Sequence, residues 1–231
     1  VNAPIAVLLP KSAATVLADL AVLYSGNFYT NLDVKSPLQR LKNILANIDP
    51  RLVITSPDLR ALVDALGLPD DRVLFMDGPG GDETPTGAAA MQARRERVID
   101  TDPICIINTS GSTGTPKGVV LTHRGTIDFM DWVFDRFQFD GSERIGSLSP
   151  FYFDIYTLEL ILCLARGATM VLVPDQLAMF PARLLEFMEA QAVSFIFWVP
   201  SIMVNISSQG LLEASRLPPL RTVFFAGEVF P

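Results

Sequence analysis

Between the apolar runs at residues 104–108 (ICIIN) and 118–122 (GVVLT) lies Thr109-Ser110-Gly111-Ser112-Thr113-Gly114-Thr115-Pro116-Lys117-Gly118, in which hydroxyls and glycines alternate and one lysine closes the set. These are the residue types a polyphosphate needs. Glycines let backbone N–H groups approach phosphate oxygens in conformations that a side chain forbids, hydroxyls donate further hydrogen bonds, and Lys117 supplies a compensating charge. The spacing is not that of a Walker A loop. Counting from Gly111, the second glycine position holds Pro116, and Gly118 follows Lys117 where Ser or Thr is required. A Walker loop also opens a helix, whereas the β-branched run Val119 to Thr122 continues as a strand. The expectation is a strand-loop-strand hairpin that holds an anion. A shorter piece such as SGS would indicate only an ordinary hydroxyl-rich turn.

The elements that must position this loop alternate. Strands are expected at residues 5–9, 51–55, 72–76, 104–107, 119–122, 145–149, 169–173, 194–197 and 222–225, and helices after Ser12, from Pro37 with Pro37 in the first helical position, and over 58–66, 125–137, 155–165, 182–191 and 201–207. Such alternation is the pattern of an α/β protein whose mainly parallel sheets are covered by helices on both faces. Residues 77–87 (DGPGGDETPTG) are dense in turn formers, and only a short helix near 88–97 is expected before Asp102. A lobe boundary is therefore drawn between residues 1–100 and residues 101–231.

Composition narrows the function classes. The net charge of −7 and scattered basic residues exclude an electrostatic footprint for nucleic acid. No apolar stretch is long enough to span a bilayer. Cys105 and Cys163 each lie in an apolar run, which points to core thiols in a reducing, cytoplasmic setting and to no metal site. The chain opens with Val1 directly before an apolar strand and stops at Pro231 just past another, and it is read as a piece of a longer polypeptide.

The run TSGSTGTPKG resembles the signature loop of the adenylate-forming superfamily, which includes acyl-CoA synthetases, luciferases and the adenylation domains of peptide synthetases. LAVLYSGNFYTNLDVKSPLQRL, LTHRG around His123 and VFFAGEVFP extend the likeness over nearly the whole chain. Tyr24-Ser25-Gly26 and Asn31 depart from it, away from the expected chemistry. The resemblance implies part of the large N-terminal domain of such an enzyme. It also implies that Thr109 to Thr115 with Lys117 hold the β- and γ-phosphates of ATP, with Thr109 and Lys117 acting in catalysis. Gly227 and Glu228 are implied to pass close to the adenine or the substrate carboxylate.

Within that family the run Pro150-Phe151-Tyr152-Phe153-Asp154 is similar to that of amino-acid-activating members, where the aspartate faces the substrate's α-ammonium. A cation entering an apolar pocket needs an opposite charge within reach. Asp154 can equally be the N-cap of the helix over 155–165, and one residue can do both. The same resemblance implies Ile155, Leu158, Phe197, Phe224 and Ala226 as lining of the side-chain pocket, although Phe197 and Phe224 also suit a plain core role. Peptide-synthetase adenylation domains and D-alanine-carrier-protein ligases are resembled equally. Both imply an aminoacyl-adenylate that is passed to a phosphopantetheine thiol on a carrier protein. The family's Mg2+ ligand, ribose aspartate, hinge and C-terminal lysine are absent, so Mg2+ ligands are expected outside these residues, and the chain alone is expected to turn over poorly. Alternatives are an acyl- or aryl-CoA ligase, in which Asp154→Ala leaves an uncharged acid substrate unaffected, and a non-catalytic ATP-binding module. His123 is assigned a supporting role, because a carboxylate already ionised needs no general base. Trp132 and Trp198 are assigned to packing.

Overall fold

The structure is a computed structural model and describes residues 1–76, 87–109, 116–214, 217 and 219–231. The chain divides into two compact units, residues 1–129 and 130–231.

The first unit is built on a six-stranded sheet in the order β4-β3-β1-β2-β5-β6. Its strands are β1 (Pro4–Leu8), β2 (Phe28–Asn31), β3 (Leu52–Thr55), β4 (Val73–Phe75), β5 (Pro103–Thr109) and β6 (Lys117–Thr122). All neighbours pair in parallel except β5 and β6, which form an antiparallel hairpin at the edge. The helices are α1 (Ala13–Tyr24), α2 (Leu38–Ile48), α3 (Arg60–Leu66) and α4 (Ala88–Arg95), and α5 (His123–Arg136) starts in this unit and ends in the next. In β1 the residues Ala6 and Leu8 pack with Leu41, Ile44 and Leu45 of α2. Ile5 and Val7 alternate to the other face and are buried as well, so the central strand is covered on both sides. Ser12 caps α1, accepting from the Thr15 N–H at 3.4 Å. Pro37 differs from expectation. Its φ of −53° suits a helix but its ψ of 138° does not, so it sits at the cap and α2 begins at Leu38. The first unit ends within α5, and the β5–β6 hairpin belongs to its sheet through β2.

The second unit holds a four-stranded, all-parallel sheet in the order β10-β9-β7-β8. Its elements are β7 (Arg144–Ser147), α6 (Asp154–Arg166), β8 (Thr169–Leu172), α7 (Pro181–Ala190), β9 (Phe195–Trp198), α8 (Pro200–Ser208), α9 (Leu211–Ala214) and β10 (Thr222–Phe225). The pleat sorts its side chains into two cores. Phe195 joins Ile145, Leu158 and Leu162 in one, while Ile196 and Trp198 join Leu184, Met188 and Ile206 in the other. The chain passes from β7 outward to β8 and then returns to the other side of β7 to form β9. That reversal is a topological switch point, and in open parallel sheets ligands bind outside the carboxyl ends of the strands at such a point.

Candidate functional site

The hairpin brings Thr109 and Lys117 opposite each other, the last residue of β5 against the first of β6. Both are exposed. The Thr109 hydroxyl donates to the Lys117 carbonyl at 3.3 Å. Behind them, the Asn108 side-chain amide donates to Thr30 Oγ1 at 2.8 Å, and the Thr30 hydroxyl donates to the Ile106 carbonyl at 3.0 Å. Buried Thr30 on β2 thus ties down the base of the hairpin. Gly118 faces Asn108, and a Cβ there would come within 2.8 Å of Ile106 Cγ2. This glycine is required by packing within the hairpin. Ser110, Gly111, Ser112, Thr113, Gly114 and Thr115 lie outside the described residues.

At the switch point of the second sheet lies a cavity of about 440 Å³. Leu148, Ser149 and Pro150 enter it from the end of β7, Asp175 and Ala178 from the segment after β8, and Val199 and Ile202 from the start of α8. Trp198 forms part of the wall and is itself held by a hydrogen bond from Nε1 to the Gly146 carbonyl at 2.7 Å. Gly227 and Glu228 close it from beyond β10, and Asp154 and Ile155 from the first turn of α6. The walls are apolar apart from Ser149 and three carboxylates.

Two of those carboxylates stand at helix N-termini and differ in state. The N-cap of α6 is Phe153, with φ −105° and ψ 158°, and no side chain caps the helix. Asp154 is therefore the first helical residue and not the cap, its carboxylate exposed at the positive end of the helix. Among the described residues nothing engages that carboxylate. Glu228, by contrast, accepts from the Ser201 N–H at 2.9 Å and from the Ser201 hydroxyl at 3.2 Å.

Of the residues expected to form the site, Asp154, Ile155, Gly227 and Glu228 share this cavity. Leu158, Phe197 and Phe224 pack in the core on the α6 side of the sheet. Phe197 and Phe224 are register partners, with ring centroids 5.9 Å apart at 82°. Phe224 also meets the rings of Phe137, Phe139 and Phe195. Ala226 is exposed just before Gly227. Ser201, Thr30 and Asn108 carry no signal in the sequence alone, for each acts through a partner distant in the chain, and Ile202 and Asp175 join the cavity only through the fold.

Other ionisable groups stand apart from the cavity. His123 opens α5 with its N–H on the Asp102 carbonyl at 3.0 Å. Burial lowers its imidazole below the ordinary value, opposed by the charge of Asp102. Burial, with the charge of Glu159 added, pushes the Cys163 thiol up to about 11. Glu159 is fully buried and accepts from the Ser147 hydroxyl at 2.5 Å. Trp198 is buried, while Trp132 is 51% exposed and meets Phe137 edge-on. Among the described residues no group of three or more His, Cys, Asp or Glu side chains could hold a metal ion, and no helix is long and apolar enough to cross a membrane.

A parallel sheet with a crevice at its switch point, in one chain with a sheet that carries a threonine-and-lysine hairpin, places the protein among α/β folds of the ligand-binding kind. The chain belongs to the AMP-binding enzyme family, which matches residues 1–231. It is 33% identical over 96% of its length to an L-proline--[L-prolyl-carrier protein] ligase of Pseudomonas fluorescens, of which it covers 45%. The chain thus spans about half the length of that relative. Crystallised CmiS6 is similar at 31% identity with a TM-score of 0.79, covering 100% of this chain and 53% of that one. The nonribosomal peptide synthetase FmoA3 in its AMPPNP-bound form is similar at 26% identity with a TM-score of 0.77, covering 99% of this chain and 24% of that one.

Proposed function

We propose that the polypeptide carrying these residues uses ATP to activate an amino acid as its aminoacyl-adenylate and passes the acyl group to a phosphopantetheine thiol of a carrier protein. The observation that carries the reading is the Asp154 carboxylate, unengaged among the described residues, on an otherwise largely apolar cavity at the switch point. An α-ammonium there gains an opposite charge, while a substrate with no amine leaves the carboxylate facing apolar atoms, at a desolvation cost of several kcal/mol. This favours an amino acid over the simple acid of an acyl- or aryl-CoA ligase. The relatives' names point the same way, toward carrier-protein loading and peptide synthesis.

In the reaction a substrate carboxylate oxygen attacks the α-phosphorus of ATP. The bond from that phosphorus to the bridging oxygen of the β-phosphate breaks, and pyrophosphate leaves with the electron pair. The thiolate sulfur then attacks the acyl carbon and AMP departs. Negative charge gathers on the phosphates, so the protein's contribution is positioning and neutralisation. Thr109, Lys117 and the loop residues Ser110 to Thr115 are proposed for that role, and Mg2+, when bound, would supply further counter-charge. Asp154 orients the amine and Ile155 meets the side chain. Leu158, Phe197, Phe224 and Ala226 are proposed as further side-chain contacts, and the Gly227–Glu228 backbone as the wall beside the nucleotide or substrate carboxylate. Cys105 and Cys163 are reduced thiols outside any disulfide, as suits a cytoplasmic protein.

ATP–pyrophosphate exchange by the full-length polypeptide, screened across amino acids and matched acids lacking the amine, tests the reading. Exchange with an amino acid is expected. Exchange only with amine-free acids removes the amino acid from the proposal, and ATP failing to shift thermal stability removes the nucleotide.

A further inference from the structure

Besides Asp154 and Ile155, the cavity is lined by two segments far apart in the chain, the start of α8 and the turn after β10. Helix α8 has a capping problem. Its N-cap is Val199, which has no side-chain acceptor, and its first residue, Pro200, has no N–H, so the first donor needing a partner is the Ser201 N–H. Glu228 satisfies it from 27 residues away with one oxygen at 2.9 Å, and takes the Ser201 hydroxyl with the other at 3.2 Å. Such charge-assisted pairs are stronger and more directional than neutral ones.

The chain reaches that position only through Gly227. With φ +89°, Gly227 occupies a conformation that disfavours any side chain, and it turns the backbone beyond β10 toward α8. Val199, Ile202, Gly227 and Glu228 all line the cavity. The bond pair therefore fixes two pieces of one wall to each other. With both oxygens engaged, the Glu228 carboxylate is committed to α8.

We propose that Glu228 is a positioning residue: its carboxylate locks the turn beyond β10 onto the start of α8 and so sets the cavity wall against which the substrate is held. This rests on the amino-acid-activation reading, and the experiment separates the two. In the full-length polypeptide, Glu228→Ala raises KM for the amino acid about tenfold, the size expected for loss of a charge-assisted pair, with a smaller change in kcat. Glu228→Gln keeps an acceptor for the N–H and a polar partner for the hydroxyl and stays within about threefold of wild type. Ser201→Ala adds little to Glu228→Ala in the double variant, because the bond is already lost. Amide hydrogen exchange of residues 199–203 accelerates in Glu228→Ala and not in Glu228→Gln, a readout independent of turnover.

If Glu228→Gln is as impaired as Glu228→Ala while exchange in 199–203 is unchanged, the charge acts directly on a ligand or metal and the positioning role is overturned. Wild-type KM in Glu228→Ala overturns it as well. A wild type active only toward amine-free acids defeats the amino-acid reading, while the exchange comparison still decides the lock.

Discussion

The hairpin of the first sheet and the crevice of the second are sites of opposite construction. Lys117 and Thr109 stand at the ends of two adjacent strands consecutive in the chain, and β6 is an edge strand exposed along most of its length. The crevice draws on four strand ends and the first turns of two helices spread from Leu148 to Glu228. A site made of one continuous loop shows its chemistry in residue order. One made by topology shows its chemistry only when the strand order is known, because the order alone decides which ends converge. On the proposed function the two also differ in demand: the hairpin would offer charge and donors to phosphate, and the crevice offers Asp154, a carboxylate unengaged among the described residues. Substitutions in one should therefore leave the other substrate's KM unchanged.

Asp154→Ala breaks that separation most severely if it is wrong. Losing the partner of a desolvated ammonium costs about 3–5 kcal/mol, so kcat/KM for the amino acid should fall by roughly two to four orders of magnitude. KM for ATP in pyrophosphate exchange should stay within about twofold. A comparable rise in the ATP KM would show that Asp154 holds the crevice together instead of meeting the substrate.

Lys117→Ala is the reciprocal test. Its ammonium is exposed at the hairpin's end, and removing one charge from a phosphate site should lower kcat/KM for ATP by about ten- to a hundredfold. The amino-acid KM, measured at saturating ATP, should not move.

What was legible in the sequence follows the same division. The hairpin at Thr109 to Gly118 was legible in residue order alone, for β5 and β6 pair antiparallel as expected, while anion binding there belongs to the proposed function. The α/β alternation was legible because apolar runs and amphipathic stripes recur with caps such as Ser12. Strand β2 was not, from hydropathy alone: Phe28 to Asn31 is four residues ending in polar ones, buried by its neighbours and not by its composition. Asp154 as a helix cap was a fair local expectation, but the extended backbone of Phe153 moves the cap one residue earlier. Glu228 and Ser201 could not be paired from sequence, since nothing local brings residues 27 apart to 2.9 Å.

A smaller effect probes how the hairpin is anchored. Thr30→Val preserves shape but removes the hydroxyl that links Asn108 to the Ile106 carbonyl. One such bond contributes about 1 kcal/mol, so KM for ATP should rise by roughly fivefold and Thr30→Ser should restore it. An equal rise in the amino-acid KM would mean that the substitution loosens the fold generally.

The smallest effect is expected on the helix that bears Asp154. Cys163 lies in the C-terminal part of α6, away from the first turn that carries Asp154, and its thiol takes no part in the cavity. With its pKa pushed up to about 11 by burial and by Glu159, the thiolate is scarce at neutral pH, so alkylation of the native protein should be slow and should accelerate in denaturant. The sign for stability follows from the same shift. The neutral thiol is favoured in the folded state, so its contribution is constant below the unfolded value of 9.0 and stability falls as pH rises from there toward about 11. Cys163→Ala should leave both KM values within about twofold. A marked loss of amino-acid affinity would mean that α6 transmits strain along its length to Asp154, and the crevice would then be set by helix packing as much as by strand order.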